Sequence, residues 1–222
     1  MPVMALVSHS QKERAMPNPI VADLSHYSWN GTTLPDFSAA AASGVFGIIY
    51  KASQGATVRD STYAQSRALA EKAGLLWGAY HFGTNAAAKA QADNFLLAAD
   101  PAENTLVCLD FEKNGTASIT LPIAMDFLHE VEKRLGRKPK LYTGSYMYDL
   151  FGQKPCADLA PYSLWWARYA ETPQVHPTWA DYWLWQYTDG HNGPAPHSVA
   201  GLGSCDLDHF DGTQQDLIVS WT

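Results

Sequence analysis

The stretch Thr105-Leu-Val-Cys-Leu-Asp-Phe-Glu112 puts two carboxylates two residues apart at the end of an apolar run. In an extended strand successive side chains alternate, so Val107, Leu109 and Phe111 share one face and Leu106, Cys108, Asp110 and Glu112 the other. If helices cover the apolar trio, Asp110 and Glu112 face a common interior. Two like charges so close oppose each other's ionisation, and one holds a proton near neutral pH. An acid beside a carboxylate, both facing one substrate, is the equipment for cleaving a glycosidic bond. Strand pitch sets the two Cα atoms ~6.6–6.8 Å apart. With side-chain reach added, that straddles the ~5–5.5 Å of retaining glycosidases and the ~6.5–9.5 Å of inverting ones. Spacing alone selects neither stereochemistry, and the pair read in isolation also fits two solvated acids on a loop.

The polar ends of other apolar segments repeat the theme. Asp23, Ser25 and His26 follow the first, and Lys51, Ser53 and Gln54 the second. Tyr80 and His81 close the third, Tyr142 and Thr143 the fifth, and Trp166 and Arg168 the sixth. Trp185, Gln186 and Tyr187 lie on the seventh, and Asp206 and Asp208 on the eighth. Each has a plain structural reading: Trp165 and Trp183 as packing, His81 as a satisfied core histidine, Lys51 as the counter-charge of a buried acid. Together they place one polar, aromatic rim at a common end. Flat aromatic faces there suit the C–H faces of sugars, with acids and amides for the hydroxyls.

The elements that must position these residues are eight short apolar segments: Val21–Tyr27, Val45–Ser53, Leu75–Phe82, Thr105–Glu112, Lys140–Tyr146, Ser163–Ala170, Trp183–Thr188 and Ser204–Phe210. Helical spacing fills Asp60–Gly74, Asn85–Ala99 and Thr120–Leu135, and Phe37–Gly44 is long enough for a short helix. The third opens Thr-Leu-Pro and closes at Gly136, a start and a stop signal. Strands alternating with helices predict a parallel sheet, and eight of them predict an irregular (β/α) barrel whose strand ends carry the site. Pro173 and Pro177 after the sixth strand, and Gly190, Gly193, Pro194 and Pro196 after the seventh, leave little room for helix. The expected outer ring is therefore incomplete, with about five helices. Residues 1–19 read as an N-terminal arm and residues 20–222 as one catalytic barrel domain.

Composition bounds the rest. Of 222 residues, 46% are hydrophobic and 17% charged, a globular balance. No apolar run reaches the roughly 18 residues of a membrane helix. A net charge of −7 disfavours a nucleic-acid partner. The 8 Trp and 11 Tyr exceed what a core requires. Cys108, Cys156 and Cys205 are too few and scattered for a disulfide framework and read as buried hydrophobes. Near the N-terminus Lys12 and Arg14 follow the short apolar stretch instead of preceding it, so no export leader is evident.

On eight short motifs in order, the sequence resembles glycoside hydrolase family 25, the Chalaropsis-type lysozymes or N-acetylmuramidases. They are Val21-Ala-Asp-Leu-Ser25, Ile49-Tyr-Lys-Ala-Ser-Gln-Gly55, Gly78-Ala-Tyr-His-Phe82, Leu109-Asp-Phe-Glu112, Leu141-Tyr-Thr-Gly144, Leu164-Trp-Trp-Ala-Arg-Tyr169, Trp185-Gln-Tyr-Thr188 and Cys205-Asp-Leu-Asp208. The resemblance implies hydrolysis of the β-1,4 bond from N-acetylmuramic acid to N-acetylglucosamine in peptidoglycan, with retention and without a cofactor or metal. It implies Glu112 as general acid/base, Asp110 as its catalytic partner, and Asp23 and Asp206 as two further acids. Tyr80, Tyr142, Trp185 and Tyr187 fall at pocket aromatics, with His81, Lys51, Arg168 and Asp208 as further substrate contacts. Gln54, Asp208 and Arg168 depart from the family's frequent Glu, Asn and Gln. The implied partner is a glycan strand met by a monomer, with action on the bacterial wall outside the cytoplasm after release by lysis or a dedicated secretion route. Two competing readings are a metal-dependent amino-sugar deacetylase drawing on Asp23, His26, His81, Asp110 and Asp206, which chelator would silence, and a non-catalytic sugar-binding barrel, which would release no reducing ends.

Overall fold

Strands β1 (Ile20–Leu24), β2 (Val45–Gln54), β4 (Leu76–Phe82), β5 (Leu106–Asp110), β6 (Lys140–Thr143), β7 (Leu164–Ala167) and β8 (Leu184–Thr188) pair side by side and in parallel in the computed structural model, which describes residues 18–29 and 34–222. The last barrel strand, β11 (Asp206–His209), pairs with both β8 and β1, and β1 with β2, so the sheet closes on itself. The short strand β3 (Val58–Arg59) hangs from β2, and β9 (Ser198–Val199) pairs only with β10 (Gly203–Ser204). All eight predicted strand segments are present. The arm expected over residues 1–19 falls, apart from Asn18 and Pro19, outside the described residues.

Strand β11 is antiparallel to both neighbours, which corrects the expectation of eight strands ending together. A parallel return needs a crossover of a dozen or more residues, usually a helix. The chain from 189 to 205 instead forms loops and the small β9–β10 hairpin. Strand β11 therefore starts at the rim and runs down into the barrel, so its N-terminal end, not its C-terminal end, meets the site.

The α-helices are α1 (Phe37–Ala42), α2 (Tyr63–Lys72), α3 (Ala88–Ala99), α4 (Leu121–Leu135), α5 (Tyr146–Phe151) and α6 (Gln214–Ser220), with short 3-10 turns at His26–Ser28 and Gly115–Ala117. Local chemistry sets their ends. Asp36 accepts the Ala39 N–H at the start of α1, Thr213 and Asp216 form a reciprocal capping box on α6, and Gly136 closes α4 at φ +70°. Between β7 and β8, and between β8 and β11, there is no helix among the described residues, as the Pro/Gly content predicts.

Alternation divides the core into two. Val107, Leu109 and Phe111 pack outward with Phe95, Phe127, Leu128 and Val131 of the helices. Val21, Ile49, Leu106, Cys108, Trp165 and Leu184 fill the barrel, together with Leu217 and Trp221 from its C-terminal segment. Trp221 donates its indole N–H to the Trp77 carbonyl at 2.9 Å, and Trp183 donates to Ser220 Oγ at the same distance. A Cβ on Gly47 would approach Trp221 Cη2 to 2.9 Å, so Gly47 is where the sheet admits the indole. The barrel is thereby sealed at the base and filled beneath the rim. The three cysteines are buried and free, as read.

Candidate active site

At the open end a cavity of about 160 Å³ is lined by Asp23, Ser25, Tyr27, Lys51, Tyr80, Phe82, Asp110, Glu112, Tyr142, Trp165 and Asp206. Strand alternation delivers them. Residues Ile49 and Lys51, Cys108 and Asp110, and Leu184 and Gln186 are inward-facing pairs, apolar below and polar above. Beyond β5 the chain to Glu112 is pinned on β6: the Phe111 N–H donates to the Tyr142 carbonyl at 2.8 Å, and Thr143 Oγ1 donates to the Phe111 carbonyl at 2.9 Å. The Gly83 N–H donates to the Asp110 carbonyl at 3.0 Å. A Cβ on Gly83 would meet Ile119 at 2.6 Å and that carbonyl at 3.0 Å, so only glycine lets β4 pass so near the acid.

Burial dominates the electrostatics. Asp110 is 5% exposed, and desolvation first, then the neighbouring Glu112 charge, hold its carboxyl well above the ordinary range. Burial also raises Glu112, as does Asp206, while a hydrogen bond with Asp110 and the Lys51 ammonium pull it down. Both carboxyls are thus pushed toward their protonated form. Burial lowers Lys51, and the charges of Asp110, Asp60 and Glu112 raise it. Its Nζ donates to Gln54 Oε1 at 2.8 Å and lies 4.8 Å from the centre of the Phe82 ring.

A second set of acids faces this pair. Asp23 and Asp206 are directly opposed on β1 and β11. Burial raises Asp23 strongly, with Asp206 and Asp208 adding to it, and burial pushes Asp206 to about 6. Gln186 Nε2 donates to Asp23 Oδ2 at 2.7 Å and reaches Asp206 Oδ2 at 3.5 Å. Its Oε1 accepts from the hydroxyls of Tyr142 (2.8 Å) and Tyr169 (3.0 Å). Tyr80 and Tyr142 are held far above the usual phenol range by burial, so both stay protonated hydrogen-bond donors.

The structure thus brings Asp23, Asp110, Glu112, Asp206, Lys51, Tyr80 and Tyr142 together. Five predicted contacts lie elsewhere. His81 is a correction: it points outward from β4, fully buried, hydrogen-bonded to Ser53 Oγ and Gln91 Oε1 and stacked 4.8 Å from Phe127. Its pKa is lowered to about 4, mainly by burial, so it is a neutral core residue. Trp185 and Tyr187 are corrected likewise. They alternate with Gln186, face out of β8, and line a separate shallow groove with Pro194 and Pro196. Asp208, two residues down the descending β11, lies wholly buried under the floor and accepts from Trp165 Nε1 at 2.6 Å. Arg168 lines an adjoining cleft of about 460 Å³ that shares Glu112 with the first cavity. His26 is tied to Asp60 at 2.8 Å, so the ligand set of the deacetylase reading is dispersed, and no group of three metal-binding side chains occurs among the described residues.

The sequence places Gln186 on the rim without singling it out from its neighbours, and Tyr169, Tyr27, Phe82 and the floor role of Trp165 are not read from it. For Gln186 the signal was present: counting alternate positions from apolar Leu184 selects Gln186 and rejects Trp185 and Tyr187.

Comparison with known proteins follows this geometry. The muramidase of Trichobolus zukalii superposes with a TM-score of 0.77 at 27% identity, over 91% of this chain and 98% of that one. The muramidase of Acremonium alcalophilum gives 0.75 at 26%, over 90% and 97%. A bacterial lysozyme from Streptomyces coelicolor shares the fold, with a TM-score of 0.79 at 22% identity over 92% and 97%. Among curated proteins, the uncharacterized protein YegX of Escherichia coli O157:H7 is 30% identical over 177 residues, which is 75% of this chain and 60% of that protein. The chain spans about three fifths of the length of the curated relatives it matches. Residues 22–195 match the family model for glycosyl hydrolases family 25, and the chain belongs to that family.

Proposed function

We propose that this protein is a muramidase that hydrolyses the β-1,4 bond between N-acetylmuramic acid and N-acetylglucosamine in peptidoglycan. The observation that carries the reading is the Asp110–Glu112 pair lining the rim cavity, with Asp110 buried. Family membership and the likeness to two muramidases support it. Glu112, which borders both the cavity and the adjoining cleft, gives its proton to the glycosidic oxygen and later takes one from water. Asp110, the more deeply buried acid, orients the substrate's 2-acetamido group, whose oxygen attacks the anomeric carbon, so configuration is retained. Asp23 and Asp206, held by Gln186, bind hydroxyls and shape the field of the site. The partner is a glycan strand of the bacterial wall, bound by a monomer without cofactor or nucleic acid. Among the described residues no helix is long and apolar enough to cross a membrane.

Digestion of purified peptidoglycan, borohydride reduction and mass spectrometry test this directly. Muramitol at the new reducing ends is the expected product. Glucosaminitol, or acetate release without new ends, would sink it. Proton NMR during the first turnovers should show the β-anomer, and an α-anomer would remove the acetamido route.

A further inference from the structure

The cleft beside Glu112 contains a cation that no acid in the described fold neutralises. Arg168 follows β7, and its backbone is fixed at both ends: its N–H donates to the Gln186 carbonyl at 3.0 Å, and its carbonyl accepts from Trp185 Nε1 at 2.8 Å. Its Nη2 donates to the neutral side-chain oxygen of Gln174. Gln174 itself sits at φ +40°, a left-handed conformation that a non-glycine residue adopts at an energetic cost. Arg168 Nε is buried without a hydrogen-bond partner, and none of the ion pairs among the described residues includes Arg168. The buried Nε and the neutral Gln174 oxygen fix the base of the fork, while Arg168 lines the cleft with no acid paired to its charge. A guanidinium so presented matches a planar oxyanion.

The cleft adjoins the catalytic cavity through Glu112, and Ser145, Tyr148 and Tyr169 complete its wall. A sugar ring next to the bond cleaved at Glu112 therefore lies within reach of Arg168. We propose that Arg168 determines specificity by binding a carboxylate carried on that neighbouring ring. The inference rests on the muramidase reading and narrows it: the substrate is anionic at this subsite. Peptidoglycan offers such a carboxylate from two sources, the lactyl group of muramic acid where the stem peptide is absent, or an acid of the stem peptide where it is present.

Steady-state kinetics of the wild-type protein, Arg168→Gln and Arg168→Lys on three soluble glycans separate the possibilities. One glycan bears stem peptides, one is stripped to free lactyl groups, and one is stripped with its lactyl carboxyls converted to neutral methylamides. The wild-type KM should be about 10-fold lower on a carboxylate-bearing glycan than on the neutral one, the size of one charge-assisted hydrogen bond. Arg168→Gln should erase that difference through KM, leaving kcat within about 3-fold, and Arg168→Lys should restore part of it. Dependence on the stripped glycan identifies the lactyl carboxylate; dependence on the peptide-bearing one identifies the stem. A wild-type protein that cleaves all three with equal KM would overturn the inference while leaving the muramidase reading standing, and so would Arg168→Gln raising KM equally on the neutral glycan. Absence of new reducing ends from all three would remove both.

Discussion

Asp23 on β1 and Asp206 on β11 stand directly opposite each other across an antiparallel pair, with the amide nitrogen of Gln186 donating to both. Two carboxyls so placed need a shared donor, and Gln186 supplies it while its oxygen receives the Tyr142 and Tyr169 hydroxyls. One amide thus links the acids to the aromatic wall.

Gln186→Leu should therefore lower kcat by about 10- to 100-fold, because the buried Tyr142 hydroxyl, the Tyr169 hydroxyl and two acids lose their partner at once. Thermal unfolding should fall as well, by roughly 2–3 kcal/mol. Kinetics and calorimetry on the same preparation check both. An unchanged kcat would separate the network from the reaction.

Glu112→Gln keeps the shape of the side chain and removes its transferable proton. Turnover should fall at least ~10³-fold, with a melting temperature equal to or above that of the wild-type protein, since a buried acid is relieved. Asp110→Asn should also cost activity heavily but leave some turnover, because an amide can still hold the acetamido group. Reducing-end release and circular dichroism melts measure the pair, and near-normal activity of Glu112→Gln would strip that residue of its role.

The raised acids make stability depend on pH with a definite sign. A carboxyl whose pKa is higher folded than unfolded binds extra protons in the fold, so its support is complete below about pH 4 and fades as pH rises. For Asp206 the loss runs through about 6, and it is worth on the order of 2–3 kcal/mol. Burial lowers His81 to about 4, and its contribution has the opposite slope, failing as pH drops from about 6.5 towards 4. The difference between Asp206→Asn and the wild-type protein isolates the acid: the variant should gain melting temperature on the wild type steadily from about pH 4 to 6.5. A difference that stays flat over that interval would contradict the raised Asp206.

At the base, Trp221→Ala should destabilise by about 3–5 kcal/mol. Gly47→Ala, which sets a methyl 2.9 Å from the indole, should cost roughly 1–3 kcal/mol. Both should leave KM unchanged, because the affected side chains lie below the filled interior. Denaturant melts and kinetics at a temperature where the variants stay folded provide the check.

Much of this was legible in the chain itself. The alternation in Leu106–Glu112 located the acids and their inward face, and the same rule explains Asp23, Lys51, Tyr80 and Tyr142. In β4 and β8 the same rule turns His81, Trp185 and Tyr187 outward, whereas their residue types alone suggest site contacts. The direction of β11 could not be read from residues 189–205, since a run rich in Gly and Pro states only that helix is absent. Two short helices, α5 and α6, escaped for a different reason: at 6 and 7 residues they carry too few turns to show a period, and tertiary packing makes them. The adjoining cleft depends on how Gln174 bends back to Arg168, which no periodicity encodes.

Because Trp221 fills the base of the barrel, the acids among the described residues are approached from the rim. On the muramidase reading, a glycan would lie along the rim, over the two adjoining cavities that share Glu112. If glycans lie that way, cuts fall at interior points, and viscosity of a long soluble glycan should collapse well before small sugars accumulate.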